Sequence, residues 1–146
     1  MAPYGVLQSL LSDDDLADTL AEVVRVVRRG GLVAIDLVPD LPSWAEYAPR
    51  VRLRGKGPQR ATITLIESVR QDRARRLTIF DEEFVVRQGR SVERRRFSLT
   101  FRTIAVDEVV SRVERAGCRV DSVDGDYAGG AYRPDADVWL IRARRR

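Results

Sequence analysis

The sequence predicts an α/β fold with a block of antiparallel strands inserted between two α/β segments. Near the N-terminus, an amphipathic helix leads through a glycine turn into a short apolar strand. Apolar and polar residues alternate in the middle of the chain, and helix and strand patterns return at its end. We therefore interpret the 146 residues as a single domain, with 1–49 and 105–146 as the α/β framework and 50–104 as the insertion.

The first α/β segment has clear helix boundaries. Ser12 can cap free backbone amides, and the aspartates at 13–15 favour the positive end of the helix dipole. Apolar residues then recur at helical spacing, at positions 16, 20, 23, 24 and 27. Arg28 and Arg29 are expected in the last turn, and Gly30-Gly31 is expected to end the helix. The apolar run 32–37 is typical of a parallel strand covered on both faces.

The middle of the chain predicts a meander of three or four antiparallel strands. Residues 61–68 and 77–87 are rich in strand-forming types, and 88–91 has the composition of a turn. Between 93 and 104, Phe97, Leu99 and Phe101 alternate with polar residues. A period of two with one polar face indicates antiparallel strands with one side in water or against a partner.

The end of the chain returns to the α/β pattern. Residues 106–116 predict a short amphipathic helix that Gly117 ends, and 118–123 predict a strand. A turn-rich loop at 125–134 precedes the last predicted strand, 138–141. These elements complete the predicted framework around the meander.

The composition excludes several classes of protein. No stretch approaches the roughly 20 apolar residues of a membrane span, and the N-terminus lacks the pattern of a secretory signal. One cysteine cannot form an internal disulfide, so the predicted location is the cytoplasm. Without histidine, and with its only close carboxylates capping a helix, the sequence predicts no metal site.

The net charge of +4 raises the alternative of a nucleic-acid-binding module. All basic residues but Lys56 are arginines, and they are scattered among acids. The densest runs are 94–96 and 144–146, and no aromatic residues interleave with them as single-strand binding requires. We therefore interpret these runs as solvated surface rather than as a nucleic-acid partner site.

Three stretches carry a resemblance to a known family. They are Ala2-Pro3-Tyr4-Gly5-Val6-Leu7-Gln8, the segment from Val26 through Arg29-Gly30-Gly31 to Asp36, and the segment from Val106 through Ala116-Gly117-Cys118 to Tyr127. In this order they resemble the C-terminal half of class I, Rossmann-like methyltransferases that depend on S-adenosylmethionine (SAM). The resemblance covers nearly the whole chain, with the meander as its loosest part.

The resemblance implies a partial Rossmann-like methyltransferase sheet with an inserted antiparallel β-meander. Residues 2–4 would end the fourth strand of such a sheet, 32–36 would form the fifth, and 118–141 would contain the antiparallel sixth and seventh. The family's glycine-rich loop and its ribose-binding acid have no counterpart in these 146 residues. The implied cofactor is therefore SAM, with weak or absent binding expected for this chain.

Two residues are predicted to contact the cofactor. The aromatic face of Tyr4 can stabilise a sulfonium, although Tyr4 can equally cover the open end of the sheet. Asp36 ends a strand at the carboxyl edge, where open α/β sheets bind ligands, although it can equally bond to nearby turn amides. Methyl transfer depends mostly on positioning, and with no histidine present we assign no catalytic residue.

Four aromatic residues are predicted to contact a small-molecule acceptor. Trp44 and Tyr47 follow the strand 32–37, while Tyr127 and Tyr132 lie on the loop between the last two strands. In the family's topology these loops leave from the same side of the sheet. We therefore expect Trp44, Tyr47 and Tyr127 to converge near the carboxyl end of strand 32–37, although ordinary packing remains an alternative.

These observations predict a SAM-dependent methyltransferase family protein that acts on a small molecule and is inactive as an isolated chain. The alternative is a non-catalytic remnant or assembly protein that works by self-association. We expect a homodimer, because strand 32–37 would have an open edge and the helix stripe Leu16, Leu20, Val23 and Val27 would be uncovered. The contact is expected on that side rather than along the meander. The alternative is that the N-terminal residues fold over the strand edge and leave a monomer.

Overall fold

The computed structural model describes residues 1–2, 5–39 and 41–146. The chain forms two compact units, one made of 1–41 and 101–146 and the other of 42–100. The predicted α/β class is confirmed, since helices accompany two sheets whose strands are mostly antiparallel. The helices are α1 (Asp13–Val26) and α2 (Val106–Arg115), and the strands are β1 (Leu32–Leu37), β2 (Tyr47–Lys56), β3 (Thr62–Asp72), β4 (Leu77–Gln88), β5 (Ser91–Arg102), β6 (Cys118–Asp124) and β7 (Trp139–Arg145).

The first unit contains a three-stranded sheet in the order β1-β7-β6. β7 runs antiparallel to both neighbours, with Ile35 opposite Ile141 and Val123 opposite the same residue from the other side. The expectation of a parallel strand at 32–37 is therefore wrong for its main partner. Among the described residues, parallel pairing occurs as a bridge between Ala2 and Ile35, in which the Ala2 amide donates to the Ala34 carbonyl at 2.8 Å.

Helix α1 starts where the sequence predicts and ends earlier. The Ser12 hydroxyl accepts a hydrogen bond from the Asp15 amide at 3.0 Å and caps the helix. The helix stops at Val26, so the prediction that Arg28 and Arg29 occupy the last turn is wrong. The Arg145 guanidinium on β7 donates to the carbonyls of Arg25 and Val27, at 2.9 and 2.6 Å, and so satisfies the end of the helix.

The apolar stripe of α1 lies in the core of the first unit. Leu16 and Leu20 are 0% and 3% exposed, and Val23 and Val27 pack against the same cluster. The cluster also contains Ile35, Ile141 and residues of α2. The expectation of an uncovered stripe is therefore wrong, because the chain's own sheet and second helix cover it. Association through the β1 side stays a prediction that rests on the strand edge alone.

The second unit is a four-stranded antiparallel meander in the order β2-β3-β4-β5. Strand β5 alternates as predicted, yet Phe97 and Leu99 are 52% and 46% exposed. The apolar face of this strand is therefore not a covered core face. The unit spans 42–100, and its first strand, β2, begins at Tyr47; the predicted bounds of the insertion, 50–104, stay a prediction.

Two features are absent from the described residues. Among residues 1–2, 5–39 and 41–146, no helix has the length and apolar character that crossing a membrane requires. In the same ranges, no three acidic, cysteine or histidine side chains lie close enough together to hold a metal ion.

Candidate functional site

A cavity of about 360 Å³ lies at the carboxyl end of β1 in the first unit. This is the edge where α/β sheets commonly bind ligands. Strand β1 contributes one wall, and the loop that follows β6 together with the residues before β7 contributes the other. The lining residues are Asp36, Leu37, Val38, Gly125, Asp126, Tyr127, Asp137 and Val138.

Asp36 is the central polar residue of this cavity. It is only 1% exposed, and its Oδ1 atom accepts a hydrogen bond from the Gly5 amide at 2.9 Å. Its Oδ2 atom accepts a second hydrogen bond, from the Tyr127 hydroxyl. A buried carboxylate needs such donors to offset the loss of water. Asp36 therefore joins the N-terminal segment, β1 and the β6–β7 loop at one point.

The turn at 5–9 is fixed to the end of β1 by a buried glutamine. Gln8 is 1% exposed; its Nε2 donates to the Val38 carbonyl at 3.2 Å, and its Oε1 accepts from the Val38 amide at 2.8 Å. Gly5 adopts a left-handed backbone conformation with φ of 60°, and a Cβ there would lie 2.4 Å from Gln8 Oε1. Only glycine therefore fits between Gln8 and Asp36.

The loop after β6 is held in shape by Asp126. Its carboxylate accepts hydrogen bonds from the backbone amides of Ala128 and Gly130, at 2.7 and 2.8 Å. These bonds, led by the one from Gly130, hold the pKa of Asp126 below its ordinary value. A Cβ at Gly130 would lie 2.2 Å from the Asp126 carboxylate, so the turn requires glycine. The loop thus presents Tyr127 to Asp36 in a defined conformation.

The predicted site residues of the first unit have distinct environments. Asp36 and Tyr127 lie together at the carboxyl end of β1, the end where Trp44, Tyr47 and Tyr127 were expected to converge. Tyr132 packs its ring 5.9 Å from that of Trp139 and is not among the residues that line the cavity. Tyr4, the predicted cofactor-side aromatic, lies outside the described residues.

The other two predicted residues belong to the second unit. Trp44 contacts Phe80 edge-to-face with ring centroids 5.3 Å apart. The Tyr47 hydroxyl donates to Glu67, and the Arg50 guanidinium lies 3.6 Å from the Tyr47 ring centroid. Burial, and then the hydrogen bond with Glu67, raise the pKa of Tyr47. Convergence of Trp44 and Tyr47 with Tyr127 stays a prediction.

A second polar feature of the meander is a pair of facing carboxylates. Glu67 on β3 lies directly opposite Glu82 on β4, so both side chains share one face of the sheet. Glu67 also bonds to Arg52 at 3.1 Å, whereas no described residue donates to Glu82. Burial, and then the charge of Glu67, raise the pKa of Glu82. Phe80 and Phe84 flank Glu82 on the same face.

The opposite face of the meander carries a groove of about 490 Å³. Two of its lining carboxylates, Asp81 and Glu83, are satisfied within the sheet, whereas Glu82, which also lines it, has no donor among the described residues. Asp81 accepts from Ser98 at 2.7 Å, and Glu83 pairs with Arg94 and Arg96 at 3.0 Å each. We interpret this groove as part of the ion-pair network that holds β4 to β5.

The solved structures that match this chain are SAM-dependent methyltransferases. A SAM-dependent methyltransferase from Clostridium acetobutylicum matches with a TM-score of 0.73 and 11% identity. The match covers 97% of this chain and 55% of the Clostridium chain. The chain has the fold of part of a SAM-dependent methyltransferase. The sugar N-methyltransferase KedS8 from Streptoalloteichus matches with a TM-score of 0.73 and 12% identity, over 98% of this chain and 54% of the KedS8 chain. DesVI from Streptomyces venezuelae matches with a TM-score of 0.70 and 15% identity, over 98% of this chain and 56% of the DesVI chain.

The coverage of the matched structures shows how much of the methyltransferase fold this chain contains. The chain spans about 55% of the length of these solved methyltransferases. No family model matches the sequence, and no curated protein matches it. The resemblance of this chain to part of a SAM-dependent methyltransferase is therefore confirmed at the level of fold.

The structure brings together two of the residues named from sequence, Asp36 and Tyr127, and adds two that were not named, Gly5 and Gln8; the cofactor and acceptor roles of the named pair stay predictions. Gly5 and Gln8 fix the N-terminal turn against β1, but each does so through residues some thirty positions away. The glycine at position 5 was the one local signal, because glycine is a frequent turn residue; its φ of 60° in the structure bears this out. Nothing local distinguishes a buried Gln8 from an exposed one.

Proposed function

We propose that this chain is the acceptor-side part of a SAM-dependent methyltransferase that acts on a small molecule, and that it turns over only together with a cofactor-binding part. The observation that carries the proposal is the methyltransferase fold spanning about half of each solved relative. The parallel bridge at Ala2 supports it, since a strand arriving beside β1 would deliver its carboxyl end next to Asp36.

The described residues do not by themselves make a SAM site. Both oxygens of Asp36 are already engaged, by Gly5 and by Tyr127. The 146 residues contain no glycine-rich loop of the kind that lets backbone approach such a cofactor. Cofactor binding is therefore assigned to the part outside this sequence, and the role of this chain is to hold the acceptor.

The test is calorimetric titration with SAM. The chain alone is expected to show no binding or very weak binding, and a fusion at Ala2 to the N-terminal part of DesVI is expected to bind. Ala2→Pro in the fusion removes the amide that donates to Ala34 and should weaken binding, whereas Ala2→Ser keeps that amide and should not. Low-micromolar affinity of the isolated chain would contradict the proposal, as would a folded fusion that fails to bind.

We further propose that the acceptor is an amine. KedS8 is a sugar N-methyltransferase, and CalS10, an amino pentose methyltransferase, matches this chain with a TM-score of 0.66. Support from this chain comes from Glu82, an uncompensated carboxylate between Phe80 and Phe84. A carboxylate flanked by aromatic faces suits an ammonium group.

The amine proposal is tested by binding to the chain itself. An amino sugar should shift the backbone resonances around Glu82, and its N-acetylated form, which has no positive charge, should not. Glu82→Gln should abolish the shift, while Glu83→Gln, on the opposite face of the same strand, should keep it. Equal shifts from the charged and the N-acetylated sugar would rule the amine out.

A further inference from the structure

The net positive charge of this chain lies at one end of the meander. Residues 54–66 and 84–92 form two hairpin turns and the strand ends beside them, and they contain five basic residues and no acidic residue. The rest of the chain has 21 basic and 22 acidic residues, so it has no net positive charge of its own. We call this surface the basic end, and its cations are Arg54, Lys56, Arg60, Arg87 and Arg90.

The cations of the basic end have no carboxylate partner among the described residues. All five are exposed, and none forms an ion pair there. Elsewhere on the same sheet arginines are paired, as Arg52 is with Glu67 and Arg70 with Asp81, at 3.1 Å each. Because neighbouring like charges repel one another, a surface of this kind is stabilised by an anionic partner.

The strand register places two of these cations on either side of a hydroxyl. Lys56 on β2 lies directly opposite Thr62 on β3, and Thr62 lies directly opposite Arg87 on β4, so the three residues share one face. At a strand spacing of about 4.8 Å, the backbones of Lys56 and Arg87 are about 10 Å apart. Arg54, two residues before Lys56, lies on the same face. One ligand surface can therefore contact all three cations.

The two turns of the basic end are held side by side. The Gln88 Nε2 atom donates to Gln59 Oε1 at 2.9 Å, which joins the turn after β2 to the end of β4. Gln59 and Arg60 both have left-handed backbone conformations, with φ of 53° and 62°. For residues other than glycine such conformations cost energy, and they concentrate at functional sites. The turn therefore holds Arg60 in a defined place beside Lys56.

The composition of the basic end favours a protein partner over a membrane or a nucleic acid. The turns at 57–61 and 88–91 contain no aromatic residue and no leucine, isoleucine or methionine. They therefore have no side chain that inserts into lipid and none on which a base stacks. Four of the five cations are arginines, whose planar guanidinium groups bind carboxylates through two parallel hydrogen bonds. Clustered carboxylates on a protein surface fit this arrangement.

We propose that the basic end is a docking surface for an acidic protein, whose clustered aspartate and glutamate side chains bind Lys56, Arg87 and the cations beside them. Charge complementarity of this kind speeds association and orients the partner, and salt weakens it. The inference does not depend on the proposed methyltransferase function, because it uses only the charges and the register of the meander.

Binding of fluorescently labelled poly-L-glutamate to the full chain tests the proposal. The wild-type chain is expected to bind it at physiological ionic strength, as measured by fluorescence anisotropy. Lys56→Gln combined with Arg87→Gln should raise the dissociation constant at least about tenfold, because both cations of the row are removed. Far-ultraviolet circular dichroism verifies that the variant remains folded.

The matched control is Arg70→Gln combined with Arg75→Gln. It removes the same amount of charge near the turn at the other end of the meander, where these arginines already pair with Asp81 and Asp72. The control should leave the affinity for poly-L-glutamate nearly unchanged. No binding by the wild-type chain would overturn the proposal, and so would equal weakening by the two double variants, which would show that net charge alone attracts the polymer.

Two further probes separate the other classes of partner. They are vesicles that contain phosphatidylserine and single-stranded oligothymidylate, each titrated at the same ionic strength. Both are expected to bind more weakly than poly-L-glutamate. Tighter binding of either probe would contradict an acidic protein partner and would assign the basic end to a membrane surface or to a nucleic acid instead.

Discussion

Asp36 shows how one buried carboxylate connects three distant parts of the chain. Its partners, Gly5 and Tyr127, come from the N-terminal turn and from the loop after β6. Neither partner is near Asp36 in sequence, so these hydrogen bonds form only when the first unit is assembled. The same bonds hold the wall of the candidate cavity in place, which couples the shape of the site to the stability of the unit.

Removing the Tyr127 hydroxyl should therefore destabilise the first unit. Tyr127→Phe leaves one oxygen of a buried carboxylate without its protein donor, at an expected cost of about 1–3 kcal/mol. The measurement is the free energy of unfolding in urea. Tyr132→Phe is the matched control, because the Tyr132 ring packs on Trp139 and its hydroxyl has no described partner. A loss of stability in the control as large as in Tyr127→Phe would refute the role given to the hydroxyl.

The facing carboxylates of the meander give a prediction with a defined pH dependence. Burial, followed by the charge of Glu67, raises the pKa of Glu82, so the folded chain holds this proton more tightly than the unfolded chain does. As the pH rises through the raised pKa of Glu82, ionisation of this side chain therefore lowers the free energy of unfolding. Glu82→Gln should be more stable than wild type at neutral pH, and the difference should vanish below the ordinary glutamate pKa.

Glu83→Gln is the control for this pH dependence and should behave in the opposite way. The hydrogen bond from Arg96, assisted by Arg94, lowers the pKa of Glu83, so its ionised form stabilises the folded chain. The variant should be less stable than wild type at neutral pH and should lose the difference under acid. Unfolding free energies of both variants across the pH range check the two signs. Parallel curves for the two variants would show that the carboxylate pair has no such effect.

At the scale of elements, the two helices differ at their N-termini. The Ser12 side chain caps α1, whereas Ala105 occupies the same position of α2 and offers no side-chain acceptor. The backbone of Ala105 is extended, with φ of −68° and ψ of 145°, as a capping residue requires. Glu108 lies three residues later, at the position that completes a capping box.

Ala105→Ser should therefore stabilise the chain by about 0.5–1 kcal/mol. The new hydroxyl would accept from the Glu108 amide, which at present bonds to the Asp107 carboxylate at 2.9 Å. Ser12→Ala is the converse change and should cost about the same amount. Thermal and urea unfolding of both variants give the measurement. If Ala105→Ser leaves stability unchanged, the Asp107 side chain already serves as an adequate cap.

The elements that could be predicted from sequence are those with strong local signals. Ser12, the aspartates after it and the stripe from Leu16 to Val24 place α1 correctly, because capping and periodicity are both local. Strand β2 was not singled out, since Pro49 and Gly55 weaken its strand propensity, and pairing with β3 overrides them. The end of α1 was misjudged because Arg145 on β7 satisfies its last carbonyls.

The candidate site was predictable where it follows from topology and unpredictable where it follows from contacts. The proximity of Asp36 and Tyr127 could be expected because the carboxyl end of a strand and the loops beside it commonly meet, whereas their predicted ligand contacts stay untested. Gln8 was not found, because its amide becomes structural only when it reaches the backbone of Val38. The exposure of the apolar side chains Phe97 and Leu99 on β5 was also unexpected, since alternation alone does not say which face of a strand is covered.

At the scale of the whole molecule, several arginines pair with local acids, and the net charge is +4. The run at 94–96 is paired with Glu83 and Glu93, and Arg144 is paired with Asp121 at 2.9 Å. We therefore expect no measurable binding to single-stranded DNA or RNA at physiological ionic strength. Any binding at low salt should fall steeply as salt rises.

Fluorescence anisotropy of labelled oligonucleotides over a range of salt checks this expectation. A reversed-charge control, Glu83→Lys, frees Arg94 and Arg96 from their partner and should increase low-salt binding. Tight binding by the wild-type chain that persists at physiological salt would instead favour a nucleic-acid partner.

The position of β7 in the first sheet constrains how the chain can fold during synthesis. β7 lies between β1 and β6, and it leaves the ribosome after both of them. The meander pairs only neighbouring strands and can form while translation continues, whereas β1 must wait for a partner more than a hundred residues downstream. A ribosome stalled before Trp139 would therefore hold a folded meander next to an unfinished first unit. That interval is when the nascent chain is most open to proteases and chaperones.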